Sequence, residues 1–228
     1  NLYIWQHLDE KKTCGDCETT SHLIDIWFQQ ICKKSNNVGV DEKCVRDTVH
    51  YVVDKLDKTG RLYALKRSLE VEVRGLDYLI SAELLIADGE KIGFVHQSIL
   101  DYFISNKMTE KFFAGDKIEQ IVGEKNKQTP GKRYQVQMFL QNLLECDSGD
   151  FLSAGMQLVE SLQVRFYVKY VFYEILRQIS EPDEKIAEYV KRECKDENKS
   201  DYFVNNVVCE RHVYITLLRQ AGILEPVS

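Results

Sequence analysis

Apolar residues recur at helical spacing through most of the chain. The first predicted helix begins after Thr19 and Thr20, both of which favour helix N-caps. Its apolar stripe consists of Leu23, Ile24, Trp27, Phe28 and Ile31. A loop from Ser35 to Gly39 separates it from a second helix, which Asp41 can cap and which ends near Gly60. The buried face predicted for this second helix is Val45, Val49, Val52, Val53 and Leu56.

The pattern changes in the next segment. A short helix is predicted from Gly75 to Leu85, and two short apolar runs then flank the dipeptide Asp88-Gly89. Asp-Gly between apolar runs is a strong signal for a β-hairpin. Another helix is predicted from Gln97 to about Lys107. Three helices followed by a small hairpin is the order of a winged-helix domain, so the sequence predicts one here.

The second half of the chain is predicted to be helical throughout. A polar stretch, 115–132, predicts a linker because it is rich in Lys, Glu, Gln and Gly. Beyond it lie five helical segments, the fourth beginning near Pro182 and the fifth running from Tyr202 to Leu218. Since no repeat of fixed period is present, the prediction is an irregular stack of helical hairpins.

The predicted fold class is therefore mainly α. A helical segment (1–38) precedes a winged-helix domain with a small β-hairpin (39–114). The linker (115–132) then leads to a helical stack (133–228) that resembles a sensor region.

Composition narrows the class of protein. The 228 residues are 44% hydrophobic and 29% charged, with 12 Gly and 3 Pro, which is typical of a globular protein. The net charge of −6 argues against a dominant nucleic-acid surface. No apolar run approaches the ~18 residues of a membrane span, and the amino terminus lacks a signal-peptide pattern. Seven cysteines, an odd number, predict reduced thiols and a cytoplasmic protein.

The sequence carries none of the common catalytic or nucleotide-binding motifs. GxxxxGK[ST], GxSxG, HExxH and GxGxxG are all absent, and the one Gly-Lys pair, at Gly131-Lys132, is followed by Arg133. We therefore expect no catalysis by this chain alone and assign no catalytic residue or cofactor to it.

A metal site is a weak alternative. Cys14 and Cys17 form a CxxC pair, but the tight second pair of a zinc site is missing. Cys32 and Cys44 lie on two different predicted helices. The favoured interpretation is a Gly-Asp turn flanked by two thiols, and a zinc-stabilised module stays open as an alternative.

Nucleic-acid binding through the winged helix is also disfavoured. Base readout in the major groove needs basic or amide side chains on the third helix. The outer face of that helix instead carries Asp77, Tyr78, Ser81 and Glu83. Only Arg74 and Lys91 lie nearby to offset the two acids.

The most specific motif is the run IGFVHQSILDYF (92–103), at the end of the hairpin and the start of a helix. It resembles the winged-helix element of STAND ATPases of the NACHT type. The preceding run LISAELLI (79–86) is similar to the family's third helix and first wing strand, and TTSHLIDIWF (19–28) to the start of its preceding helical segment. The resemblance covers about residues 1–108.

This resemblance implies a role for His96. In the family, the histidine of this motif contacts the β-phosphate of bound ADP and helps to hold the closed, inactive state. The chain would then be a regulatory and sensing region of a longer protein, whose P-loop NTPase domain precedes Asn1 and binds ADP or ATP. Signal transduction, antiviral defence and homo-oligomerisation on activation are implied by the family as well. Without the flanking motif, a helix cap or a core residue is the favoured interpretation of a lone histidine.

A second interpretation needs no nucleotide. The C-terminal helices carry a cluster of aromatic residues that could recognise an unknown protein ligand: Phe166, Tyr167, Tyr170, Phe172 and Tyr173. Aromatic residues at helical spacing more often pack in a core. The alternative function is accordingly a helical-repeat scaffold for protein binding. A winged-helix protein that binds nucleic acid is a further, less favoured alternative. For Asp101, the sequence is compatible with two roles, a buried ion pair and a contact on the helix surface.

Overall fold

The computed structural model of the chain describes residue 4, residues 19–209 and residues 211–224. These residues form two compact units, one within 1–104 and the other within 105–228. Both units are largely helical, and the first contains a small antiparallel sheet. The predicted fold class, mainly α with a small β element, is confirmed.

The first unit contains three helices and then a β-hairpin, as predicted, with a further strand between the second and third helices. Its elements are α1 (Thr20–Ser35), α2 (Glu42–Thr59), β1 (Tyr63–Leu65), α3 (Val73–Ser81), β2 (Leu85–Asp88), β3 (Lys91–Phe94) and α4 (Gln97–Phe113), which continues into the second unit. The strand order is β1-β3-β2, with both pairings antiparallel. The hairpin β2–β3 is the predicted one, whereas β1 is an additional strand that the hydrophobic pattern did not indicate.

Local signals placed the first two helices correctly. The Thr19 hydroxyl accepts the His22 N–H at 3.2 Å, and the Asp41 carboxylate accepts the Lys43 N–H at 2.7 Å. Gly60 ends α2 in the left-handed conformation, with φ of 64°, which glycine adopts at little cost. Each cap satisfies backbone groups that the helix itself leaves unpaired.

The third helix ends earlier than predicted, at Ser81 rather than Leu85. Glu83 adopts a left-handed φ of 58°, the Glu83 N–H donates to Ile80 O at 3.1 Å, and the Leu84 N–H donates to Leu79 O at 3.1 Å. These bonds form a Schellman motif that stops the helix. The pattern could not show it, since glycine rather than glutamate is usual at this position.

Every helix and strand of the first unit except β1 contributes a fully buried side chain. The contributing residues, one each from α1, α2, α3, β2, β3 and α4, are Ile24, Val52, Leu79, Leu85, Ile92 and Ile99. Because Ile92 and Ile99 flank the turn from β3 into α4, this turn is held from both sides.

The second unit contains seven helices among its described residues. They are α5 (Ile118–Val122), α6 (Pro130–Cys146), α7 (Ser148–Glu160), α8 (Phe166–Gln178), α9 (Glu184–Lys195), α10 (Ser200–Phe203) and α11 (His212–Gln220). None of the helices in the described ranges is both long enough and apolar enough to cross a bilayer.

Two segments of this unit differ from the predicted pattern. The stretch 115–132, expected as a linker, contains α5, whose apolar residues Ile118, Ile121 and Val122 are buried. The fifth helical segment is not continuous, because a π-helical turn, Val204–Val208, follows α10 and the backbone becomes extended at Cys209, with ψ of 129°. Val207 and Val208 are both buried in this π-helical turn, although they are adjacent in the chain.

Asp147 connects two helices of the second unit and makes its stability depend on pH. Its carboxylate caps α7 through the Gly149 and Asp150 N–H groups and accepts the Lys185 ammonium at 2.7 Å. The bond from Lys185, followed by that from the Gly149 N–H, lowers the pKa of Asp147 below its ordinary 3.8. The ionised form is therefore favoured in the folded state.

We expect Asp147→Asn to lower the thermal midpoint at neutral pH. The stabilisation by the charge is fully present above the unfolded pKa and is lost as the pH falls below about 3.8. The difference between the wild type and the variant should consequently shrink through that range in thermal melts followed by circular dichroism. A difference that stays constant from pH 7 to pH 3 would contradict this assignment.

Candidate functional site

The candidate site is the junction between the hairpin and α4, where His96 lies. The Val95 N–H donates to Leu84 O at 3.2 Å and so extends the hairpin pairing by one residue. The His96 carbonyl accepts the Ile99 N–H at 3.1 Å, which begins the first turn of α4. His96 thus stands at the exact point where strand geometry gives way to helix geometry.

Aromatic packing fixes the two sides of this junction. Phe94 and Phe103 are buried, with ring centroids 5.6 Å apart, and Phe103 also makes an edge contact with Phe28 of α1 at 4.9 Å. Leu100 is buried as well. Phe94, Leu100 and Phe103 are therefore core residues of the first unit.

The side chain of His96 is exposed, as is that of Gln97. A core histidine, one of the two structural interpretations of this residue, is therefore wrong. The imidazole lies instead at the N-terminus of a 17-residue helix, where the helix dipole favours anions. An imidazole N–H in that position can donate to a phosphate oxygen.

Asp101 lies one turn further along α4 and is only 4% exposed. The helix-surface contact considered for it is excluded by this burial. Its neighbour Tyr102 is also buried, and the Tyr102 hydroxyl donates to Asp25 Oδ1 of α1 at 3.0 Å. Asp101 and Tyr102 therefore serve the interior of the unit, whereas Gln97 faces solvent.

A polar network continues from Asp25 across the surface of α1. The Gln29 amide, one helical turn later, accepts a bond from the Arg46 guanidinium of α2 at 2.7 Å. That guanidinium also lies 5.5 Å from the centre of the Phe28 ring. Sequence reasoning missed this network, since only the i, i+4 spacing of Asp25 and Gln29 hinted at it and nothing local indicated Arg46 as a partner.

The outer face of α3 offers little to a nucleic acid. The Tyr78 hydroxyl donates to Ile31 O at 2.6 Å and so belongs to the packing of α3 against α1. Asp77 lies 3.9 Å from the Lys66 ammonium. Arg74 and Lys91 are both exposed, but they belong to different elements, α3 and β3.

The cysteines do not form a recognisable metal centre in the described part of the chain. Cys14 and Cys17, the weak metal candidates, lie outside the described residues. Burial raises the pKa of the Cys32 thiol to about 11, and the Cys44 thiol donates to Glu72 Oε2 at 3.4 Å. Among the described residues, no group of three or more His, Cys, Asp and Glu side chains is arranged to bind a metal ion.

The aromatic cluster of α8 divides into a core part and a surface part. Phe172 is fully buried and packs on Phe151, with ring centroids 5.1 Å apart. Three other rings of the predicted cluster and Tyr202 of α10 form an aromatic strip, defined as Phe166, Tyr170, Tyr173 and Tyr202, with successive centroids 6.1, 6.4 and 5.6 Å apart. Tyr167 is not part of the strip, and its hydroxyl donates to Gln128 O. Phe166 is 67% exposed at one end of the strip, whereas burial raises the pKa of Tyr173 to about 12.

Comparison of the chain with protein-family models, with curated proteins and with solved structures returned no match.

Proposed function

We propose that the chain is the regulatory and sensing region of a cytoplasmic STAND-type NTPase, without catalysis of its own. It couples the nucleotide state of an N-terminal NTPase domain to recognition of a protein ligand and to oligomerisation. His96 is the residue that contacts the phosphate of ADP bound by that domain. The observation that carries the proposal is the exposed imidazole at the β3–α4 junction, where Phe94 before it and Phe103 after it in the chain are buried against each other.

Differential binding would couple the nucleotide to the arrangement of the protein. A nucleotide that contacts the winged helix in only one arrangement of the protein stabilises that arrangement. A rigid support makes such a contact effective, because the histidine does not have to be ordered when the nucleotide binds. The buried frame of Phe94 and Phe103 provides that support.

His96→Ala is expected to speed release of ADP about tenfold in the protein that contains this region together with its NTPase domain. A hydrogen bond to a charged group contributes about 1.5–3 kcal/mol, and about 1.4 kcal/mol corresponds to a factor of ten. Stopped-flow measurement with a fluorescent ADP analogue gives the dissociation rate. Gln97→Ala, at the adjacent exposed position, is the matched control and should leave the rate unchanged.

Two results would overturn this proposal. One is an upstream coding sequence that lacks a GxxxxGK[ST] loop, since there would then be no nucleotide for His96 to contact. The other is an ADP release rate that His96→Ala does not alter.

A protein-binding scaffold without a nucleotide is the second candidate, and the aromatic strip favours it. Phe166 and Tyr202 are 67% and 40% exposed, and exposed aromatic side chains are enriched where proteins bind one another. The same strip would serve as the sensing surface under the first proposal. The response to His96→Ala therefore separates the two candidates.

A further inference from the structure

The sheet of the first unit has one open edge beside a groove. Since the strand order is β1-β3-β2, β1 is an edge strand. The Lys66 N–H donates to Glu90 O at 2.7 Å, immediately beyond the pair Leu65–Lys91. Hydrogen-bonded pairs alternate along an antiparallel ladder, so the backbone groups of Tyr63 and Leu65 point away from β3.

Three of these four outward groups are available to a new strand. The Leu65 carbonyl accepts the Ser68 hydroxyl at 2.7 Å. The N–H and C=O of Tyr63 and the N–H of Leu65 have no partner within the described ranges. An edge of this kind is a template for pairing with an extended chain.

A groove of about 580 Å³ runs along this edge between β1 and the end of α2. Its apolar lining includes the side chains of Leu62, Tyr63 and Leu65, which are 48%, 49% and 41% exposed. Three large apolar side chains exposed side by side in one groove are typical of a surface that binds another chain.

The charges of the groove define what it would accept. Its lining includes Lys55, Arg61 and Lys91 and no carboxylate. None of the three cations forms an ion pair with another described residue. The acidic residues Asp88 and Glu90 lie at the β2–β3 turn, outside the lining. The groove is therefore basic within a chain whose net charge is −6.

We propose that the open edge of β1 is a docking site for an extended segment of another protein in which apolar and acidic side chains alternate. The segment adds a strand to the sheet through the Tyr63 and Leu65 backbone groups. Its apolar side chains contact Tyr63 and Leu65 on one face of the sheet, and its carboxylates, which point to the opposite face, lie towards Lys55 at the end of α2 and towards Arg61. This surface is distinct from His96, so the proposal does not depend on the nucleotide contact.

The first experiment measures binding of a fluorescent eight-residue peptide in which valine alternates with glutamate. We expect saturable binding by fluorescence anisotropy, and binding at least about tenfold weaker for the valine–lysine counterpart. Lys55→Gln combined with Arg61→Gln should weaken binding of the acidic peptide about tenfold, and so should high salt. Equal binding of the two peptides, or no binding of either, would overturn the proposal.

The second experiment isolates the backbone contact. Leu65 has φ of −78°, close to the value that proline fixes, so Leu65→Pro removes the outward N–H without forcing the strand to change. Leu65→Ala loses the side chain but keeps this N–H and is the matched control. We expect Leu65→Pro to bind the acidic peptide about fivefold more weakly than Leu65→Ala, with similar thermal midpoints for the two variants.

Other occupants of the edge give distinguishable results. Equal affinities for Leu65→Pro and Leu65→Ala would show that no strand is added. Displacement of the peptide by a single-stranded oligonucleotide of equal charge would show that the basic groove binds nucleic acid. A concentration-dependent dimer in sedimentation equilibrium that Leu65→Pro abolishes would place a second copy of this chain on the edge. Each of these outcomes contradicts the proposal.

Discussion

Gly155→Ala is expected to lower the free energy of unfolding by about 2 kcal/mol and the thermal midpoint by about 4–8 °C. A Cβ at Gly155 would lie 2.1 Å from two atoms of the Phe172 ring, a distance at which something must shift. The Phe172 ring is fully buried and also packs on Phe151 and Tyr189, so it has little room to move. Overpacking costs of up to about 3 kcal/mol exceed the gain of about 1 kcal/mol in helix propensity.

A double-mutant cycle tests the cause of this loss. In combination with Phe172→Leu, which shortens the facing side chain, Gly155→Ala should cost at least about 1 kcal/mol less than it does alone. Gly75→Ala in α3 is a graded comparison, since its Cβ would meet the Thr48 hydroxyl and the Cys44 thiol at 2.6 and 2.8 Å. These are the ends of small side chains rather than a packed ring, so a smaller loss is expected. Additive effects of Gly155→Ala and Phe172→Leu in urea unfolding would refute the proposed clash.

Gln128→Leu is expected to destabilise the second unit by about 3 kcal/mol. Gln128 is only 1% exposed, and its amide nitrogen donates to Gly123 O and Gln163 O, both at 3.0 Å. Its amide oxygen accepts the Arg165 N–H at 2.8 Å. Leucine would leave all three backbone groups unpaired next to apolar side chains, and each unpaired group costs about 1–3 kcal/mol. Gln163→Leu is the matched control, because its side chain is exposed and only its backbone carbonyl takes part.

Gln128→Glu distinguishes the hydrogen bonds from the shape of the side chain. A carboxylate at this buried site faces two carbonyl oxygens, which raises its folded-state pKa above its ordinary value of about 4.3. The variant is thus least destabilised while the carboxyl is protonated, and the destabilisation grows as the pH rises above about 4.3. Urea unfolding at pH 4 and pH 7 measures this difference. If Gln128→Leu and Gln163→Leu have equal effects, the buried amide does not stabilise the unit.

The helices and the hairpin of the first unit could be predicted from sequence because their signals are local. Thr19, Asp41 and Gly60 act on backbone groups within a few residues of themselves, and Asp88-Gly89 determines a turn between adjacent strands. Local signals failed where a helix ends at a residue that is unusual for that position. Glu83 ends α3 in the left-handed conformation, which glycine usually adopts. The position of His96 between strand and helix was predicted, but its exposure was not, since a lone histidine fits the core and the surface equally well.

Features made by residues far apart in the chain were decided by the tertiary structure alone. β1 exists as a strand because it pairs with β3, about 30 residues away, and its own three residues carry no distinctive pattern. Gln128 lies in a stretch that reads as a polar linker and is buried because carbonyl and N–H groups of the α5 and α7–α8 loops converge on its amide. The sequence by itself determined the first two helices and the β2–β3 hairpin, because their signals are local. Which polar residues lie inside, and which strand edge and aromatic rings stay outside, depended on long-range packing, which no local pattern records.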